Sequence, residues 1–129
     1  MAVQLNHTIV HARDQRESAT FLAEILGLPA PKPFGHFLVV EMDNGVSLDF
    51  ADVGDGNEVV GQHYAFLITE EEFDEVLARV QERGITYWPH PWIANPGEIN
   101  HNDGGRGFYF LDPSGHFLEV LTRPYGSGG

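Results

Sequence analysis

The sequence repeats itself, and a repeat of this length leaves few architectures open. Residues 5–28 (LNHTIVHARDQRESATFLAEILGL) read as a short strand, a capped helix and a glycine stop, and residues 61–84 (GQHYAFLITEEEFDEVLARVQERG) read the same way. His7 falls on His63, an offset of 63 − 7 = 56. Further on, the hairpin VVEMDNGVSLDF matches YFLDPSGHFLEV through its turns, so that Gly45 falls on Gly115 and Asp49 on Glu119, each at an offset of 70 (115 − 45 and 119 − 49). Two copies of one supersecondary unit are implied, neither of which buries its apolar face alone.

Within each copy the periodicities name the elements. Residues 3–12 alternate, placing Val3, Leu5, His7 and Ile9 on one face of a strand, so His7 is expected to point with the apolar residues. Asp14 and Glu17 make a capping-box arrangement, and Phe21, Leu22, Ile25 and Leu26 form one helical stripe before Gly27. Pro29, Pro31 and Pro33 make the next stretch extended or irregular, and a hairpin follows about Asp43, Asn44 and Gly45. The second copy has a strand at 62–68, a capping box of Thr69 and Glu72, a stripe of Phe73, Val76, Leu77 and Val80 before Gly84, an edge strand ITYW, and a hairpin turning at residues 112–115. Only HPWIANPGEINHNDGGRG lacks a counterpart, and a loop this long in a compact domain points to function. Residues 53–61 have linker composition, and the tail GSGG is expected to fray. The expected organisation is one domain over residues 1–125, with module one at 1–55, module two at 60–125, and a flexible tail at 126–129.

Composition narrows the chemistry. The chain has no Cys, which excludes disulfides, thiolate ligands and a Cys nucleophile, and leaves His and carboxylates as metal ligands. A formal charge of −12 with seven Lys and Arg argues against nucleic acid and suits, if anything, a cationic ligand. No apolar run approaches the roughly 20 residues of a membrane span, and the basic and apolar regions of a signal peptide are missing from the N-terminus. The expectation is a cytoplasmic protein without a membrane partner.

One imidazole and one carboxylate per copy is how a pseudo-symmetric metal site is written in a sequence. A lone His on an apolar strand is more often a hydrogen-bonded core residue, but two at matched positions tip the balance. His7, His63 and Glu119 are the expected ligands, a set that leaves positions open for Fe, Mn, Co, Ni or Zn chemistry. Glu119 alternates with Phe117 and Leu121, and burying it is costly unless a cation neutralises it. Asp49, one methylene shorter, is a fourth ligand, a partner of the ligands, or neither. In the long loop His101 sits with Asn100, Asn102 and Arg106, where an imidazole suits acid or base work and Arg106 suits substrate binding. Tyr125, after the last strand, either reaches the cleft or anchors the tail. His116 is expected to hold its hairpin.

The segments LNHTIVHARD and SATFLAEILGL, then QHYAFLI, then GRGFYFLDPSGHFLEVLTRP together resemble the vicinal oxygen chelate superfamily, which includes glyoxalase I, extradiol dioxygenases, fosfomycin-resistance thiol transferases and bleomycin-resistance proteins. The resemblance implies an α+β fold of two tandem βαβββ modules forming a curled mixed sheet around a metal-binding cleft, usually in a homodimer, with ligands carried over to His7, His63 and Glu119. It implies one divalent metal per site that chelates two adjacent oxygens of a small substrate, with dioxygenase or glyoxalase-type lyase chemistry leading. The alternatives are a drug-binding protein of the bleomycin-resistance kind and a fosfomycin-type thiol transferase. The first hairpin carries Asp49 where a bacterial glyoxalase I has Glu, and the basic cluster of the fosfomycin enzymes has no match.

Overall fold

Each copy of the repeat folds into a four-stranded mixed sheet with one helix, in a computed structural model that describes residues 3–128. The chain divides between Val60 and Gly61 into two units. Unit one contains β1 (His7–Ala12), α1 (Gln15–Leu26), β2 (Lys32–Phe34), β3 (Phe37–Glu41) and β4 (Ser47–Asp52), in sheet order β1-β4-β3-β2. Unit two contains β5 (His63–Leu67), α2 (Glu70–Glu82), β6 (Tyr87–Trp88), β7 (Gly107–Leu111) and β8 (Phe117–Leu121), in order β5-β8-β7-β6. In both, the first strand runs parallel to the last and the other pairs are antiparallel. The fold is α+β, two tandem βαβββ modules.

The repeat persists to the level of register. His7 lies opposite Ser47 and Ile9 opposite Asp49; in unit two His63 lies opposite Phe117 and Ala65 opposite Glu119. Since side chains alternate, a matched register places matched residues on the same face of each sheet.

The helices start and stop where the local chemistry dictates. Asp14 caps α1 by accepting from the backbone N–H groups of Arg16 and Glu17, and Gly27 ends it in the left-handed conformation at φ 70°. The box on α2 is reciprocal: Glu72 N–H donates to Thr69 Oγ1 at 3.1 Å, and Thr69 N–H donates to Glu72 Oε1 at 2.8 Å. Ala19, Leu22, Ala23 and Ile25 of α1 are buried, as are Val10, Ala12, Leu38, Val40, Leu48 and Phe50 on the strands of unit one. In unit two Phe73, Val76 and Val80 of α2 are buried with Phe108, Phe110, Leu118 and Val120, and the rings of Phe73 and Phe108 meet edge to face at 5.4 Å.

The first strand is shorter than its alternation implies, beginning at His7 rather than at residue 3. Its buried residues are Val10 and Ala12, whereas Leu5, His7 and Ile9 share the exposed face. His7 does point with apolar neighbours, but away from the helix. The helix takes the even-numbered side chains, and the odd-numbered ones lie on the opposite face.

The long loop is cinched by Asn100, which exchanges two backbone hydrogen bonds with Gly107 and donates its amide to the Pro89 carbonyl at 2.7 Å. Gly107 is required there: a Cβ would lie 3.0 Å from the Val120 carbonyl oxygen and 3.2 Å from the Asn100 amide. Residues 125–128 form a turn, closed by a hydrogen bond from Ser127 N–H to the Pro124 carbonyl, and Gly129, the last residue of the expected tail, lies outside the described residues. Among the described residues no helix is long and apolar enough to cross a membrane.

Candidate metal centre

Alternation along β8 sends Leu118 and Val120 into the α2 side and leaves Phe117, Glu119 and Leu121 on the other face. Across the strands of that face Glu119 stands between Ala65 and Tyr109, and Tyr109 in turn lies opposite Trp88. The neighbours are aromatic. The His63 ring stacks on Tyr109 at 5.7 Å, Phe117 contacts Tyr109 at 5.5 Å, and Trp88 meets Phe117 at 6.0 Å. Glu119 is 1% exposed, so its carboxylate has lost its water and depends on what the protein supplies.

One group donates to it and a second stands beside it. Tyr125 donates its hydroxyl to both carboxylate oxygens, at 2.6 Å to Oε1 and 2.7 Å to Oε2. His63 Nε2 lies 3.1 Å from Oε1, while its Nδ1 lies 2.9 Å from the carbonyl oxygen of Phe117. A carbonyl only accepts, so Nδ1 carries the proton and donates. In the neutral ring Nε2 is then an acceptor facing another acceptor. The pair is at rest only with a positive charge between them, a proton or a metal ion.

The donor set fits a metal. A ligating His commonly donates its other ring N–H to a carbonyl, as His63 does to Phe117. The 3.1 Å between Nε2 and Oε1 is close to the roughly 3.0 Å that separates two donors at right angles on a metal with bonds of about 2.1 Å. One imidazole nitrogen and one carboxylate oxygen are also the ligand types that Fe, Mn, Co, Ni and Zn accept.

Behind Glu119 the hydroxyls form a directed chain. Tyr125 gives its one proton to the carboxylate, so its oxygen accepts from Tyr109, 3.1 Å away. Burial, the bond to Tyr125 and the charge of Glu119 push the Tyr109 phenol far above its ordinary value; burial and Glu119 raise that of Tyr125 too. Both phenols are held as donors at neutral pH. Tyr109 was not among the residues the sequence singled out, although the hairpin register that places it opposite Glu119 was readable.

In unit one the matched positions are furnished differently. His7 is exposed, with Nδ1 2.7 Å from the side-chain oxygen of Asn6, an arrangement that again leaves Nε2 as the acceptor side of the ring. Asp49 is half-buried and accepts from the Ser47 hydroxyl at 2.8 Å. Opposite Asp49 stands Val39, where Tyr109 stands opposite Glu119. Among the described residues no group of three or more His, Cys, Asp or Glu side chains stands together. The structure brings together His63 and Glu119 of the expected ligands, with Tyr125 beside them.

In the long loop Arg106 is paired with α2. It donates to Glu70 Oε1 at 2.7 Å, pairs with Asp74 at 2.9 Å, and lies 4.3 Å over the Phe73 ring. Bonds from Thr122 and Arg106, with a smaller effect of the nearby His101, hold the Glu70 carboxyl below its usual range. His116 is buried at 1% exposure and ties its hairpin to the chain entering β5, its Nδ1 accepting from Gln62 N–H at 3.0 Å.

A βαβββ repeat with matched His and carboxylate positions defines a class, and the sequence comparison agrees: the chain belongs to the Glyoxalase/Bleomycin resistance protein/Dioxygenase superfamily, whose model matches residues 4–120. Among solved structures it is similar to the oxidase ChaP-H2, at 59% identity over all of both chains and a TM-score of 0.95. It is similar also to the oxidase ChaP-H1, at 62% identity over 97% of this chain and 99% of that one, with a TM-score of 0.92. A curated relative, the glutathione transferase FosA of Serratia marcescens, is 34% identical over 93% of this chain and 81% of its own length.

Proposed function

We propose that the protein is a divalent-metal-dependent enzyme that carries out an oxidative reaction on a small molecule bearing two adjacent oxygens. The observation that carries the reading is the acceptor pair: His63 Nε2 and Glu119 Oε1 face one another across 3.1 Å, with the imidazole fixed from behind by the Phe117 carbonyl. His7 supplies the third ligand, from the same chain or from a second copy in a homodimer, and Asp49 assists without ligating. The bound metal would act as a Lewis acid toward the substrate's oxygens or toward dioxygen. The chain's own part is to hold the donors. Phe117 and Tyr109 fix the His63 ring, Tyr125 fixes the carboxylate, and the burial of Glu119 keeps water from its oxygens.

Oxidation is favoured over lyase or transferase chemistry by the similarity to two proteins named as oxidases at 59% and 62% identity. The 34% likeness to FosA supports a thiol transferase as the second reading. Against it, Arg106, the cation of the long loop, is neutralised by Glu70 and Asp74, which leaves it poorly placed to hold an anionic substrate. The drug-binding alternative has no use for a donor pair of this kind.

The test is to load the protein with Fe(II), Mn(II) or Ni(II) and follow oxygen uptake with a panel of catechols and hydroxyquinones, beside adduct formation from glutathione and fosfomycin. Metal-dependent oxygen uptake is expected. Adduct formation without oxygen uptake would overturn the oxidative reading in favour of transfer. Sedimentation equilibrium at micromolar concentration is expected to give twice the chain mass of 14.3 kDa.

A further inference from the structure

The end of the chain is built into the site. After β8 the chain makes a turn over residues 125–128, and three sets of contacts hold it: Arg123 donates to the Ser127 hydroxyl at 3.4 Å and to its carbonyl at 3.2 Å, Ser127 N–H donates to the Pro124 carbonyl at 3.1 Å, and Gly128 N–H donates to Asp103 Oδ1 at 3.2 Å. The turn needs its glycines. Gly126 sits at φ 81°, and a Cβ on Gly128 would collide with the backbone of Asp103. On the other side Gly105 gives Arg123 and Thr122 their room, since a Cβ there would lie 2.5 Å from the Thr122 hydroxyl and 2.8 Å from the Arg123 side chain. A segment tied at Asp103 and at Arg123 holds Tyr125 between the ties, and its hydroxyl lands on both oxygens of Glu119.

We infer that this C-terminal turn is a strap whose task is to position Glu119 through the Tyr125 hydroxyl, so that one carboxylate oxygen is presented beside His63 Nε2 for the metal. The inference rests on the metal-centre reading above. A glutamate has three rotatable bonds, and a lone one in an aromatic surround has no reason to keep Oε1 toward His63. A single O–H centred between the two oxygens fixes the plane of the carboxylate, and the Tyr109 hydroxyl behind it fixes the phenol. When Oε1 takes a metal the same O–H stays on Oε2. Tyr125 is therefore a positioning residue, 63% exposed itself, acting on a carboxylate that is 1% exposed.

Mn(II) affinity, measured by titration calorimetry, separates this from the reading it rests on, with the spectrum of the Co(II)-loaded protein as a second readout. Glu119→Gln is expected to abolish binding; Mn(II) bound by that variant as by the wild type would sink the metal centre itself. Tyr125→Phe keeps the ring and removes only the hydroxyl, and is expected to weaken Mn(II) about 10–100-fold and to alter the Co(II) spectrum. Gly128→Val keeps the hydroxyl but disturbs the strap, and is expected to weaken Mn(II) by a smaller factor. Wild-type affinity in Tyr125→Phe, beside a null Glu119→Gln, would overturn the positioning role and leave the metal reading standing. Loss in Tyr125→Phe with wild-type affinity in Gly128→Val would overturn the strap.

Discussion

In unit one Asp49 faces Val39 and takes a hydrogen bond from Ser47; in unit two, at the same register, Glu119 faces Tyr109, is held by Tyr125 and lies 3.1 Å from His63 Nε2. The two sheets are the same scaffold with the same strand order and the same partner residues aligned. What differs is support. Unit two adds a second aromatic layer on β7 and β8, and it alone carries the long loop and the C-terminal strap. A repeat thus hands both halves a carboxylate position, and on the proposed reading that position serves as a metal donor only where neighbouring side chains fix its geometry.

Removing each of the two carboxylates in turn tests this first and most severely. Glu119→Ala is expected to abolish metal binding, whereas Asp49→Ala lowers affinity only about 10–100-fold. Isothermal titration of both variants with the same metal checks it, and equal losses would mean that Asp49 ligates and that the two halves are functionally alike.

A smaller effect follows from making unit two resemble unit one at its β7 position. Tyr109→Val removes the ring stacked on His63 and the hydroxyl bonded to Tyr125, leaving a cavity at a site 5% exposed. Urea unfolding in the absence of metal is expected to show a loss of about 2–3 kcal/mol. An unchanged midpoint would show that the aromatic layer does not brace the site.

The helix caps offer the smallest contrast. Asp14→Ala and Thr69→Ala each remove a side-chain acceptor from a helix start and are expected to cost about 1 kcal/mol in thermal or urea unfolding. Thr69→Ala should cost somewhat more, because the return bond from Thr69 N–H to Glu72 belongs to the same box.

Much of this was legible in the residues. The offsets of 56 and 70 state the register that the strands adopt, and the caps at Asp14 and Thr69 and the turns at Gly45 and Gly115 fall where the residue types require. The facing of β1 was harder, because Val3, Leu5 and Ile9 alternate as a buried face would and yet lie on the exposed one; periodicity reveals that a strand has two faces but not which of them the helix covers. The ties of Arg106 to Glu70 and Asp74 are not written in its loop, because they depend on the fold returning β7 beside the start of α2. Tyr109 was concealed among the aromatic residues of FYF, all three of them buried; only pairing with Glu119 separates it from Phe108 and Phe110.

Metal analysis of protein purified without added metal tests most directly whether the matched donors hold a metal. The wild type is expected to carry about one divalent ion per chain, and His63→Ala, which removes the imidazole facing Glu119, to carry none. The same metal content in both would contradict this.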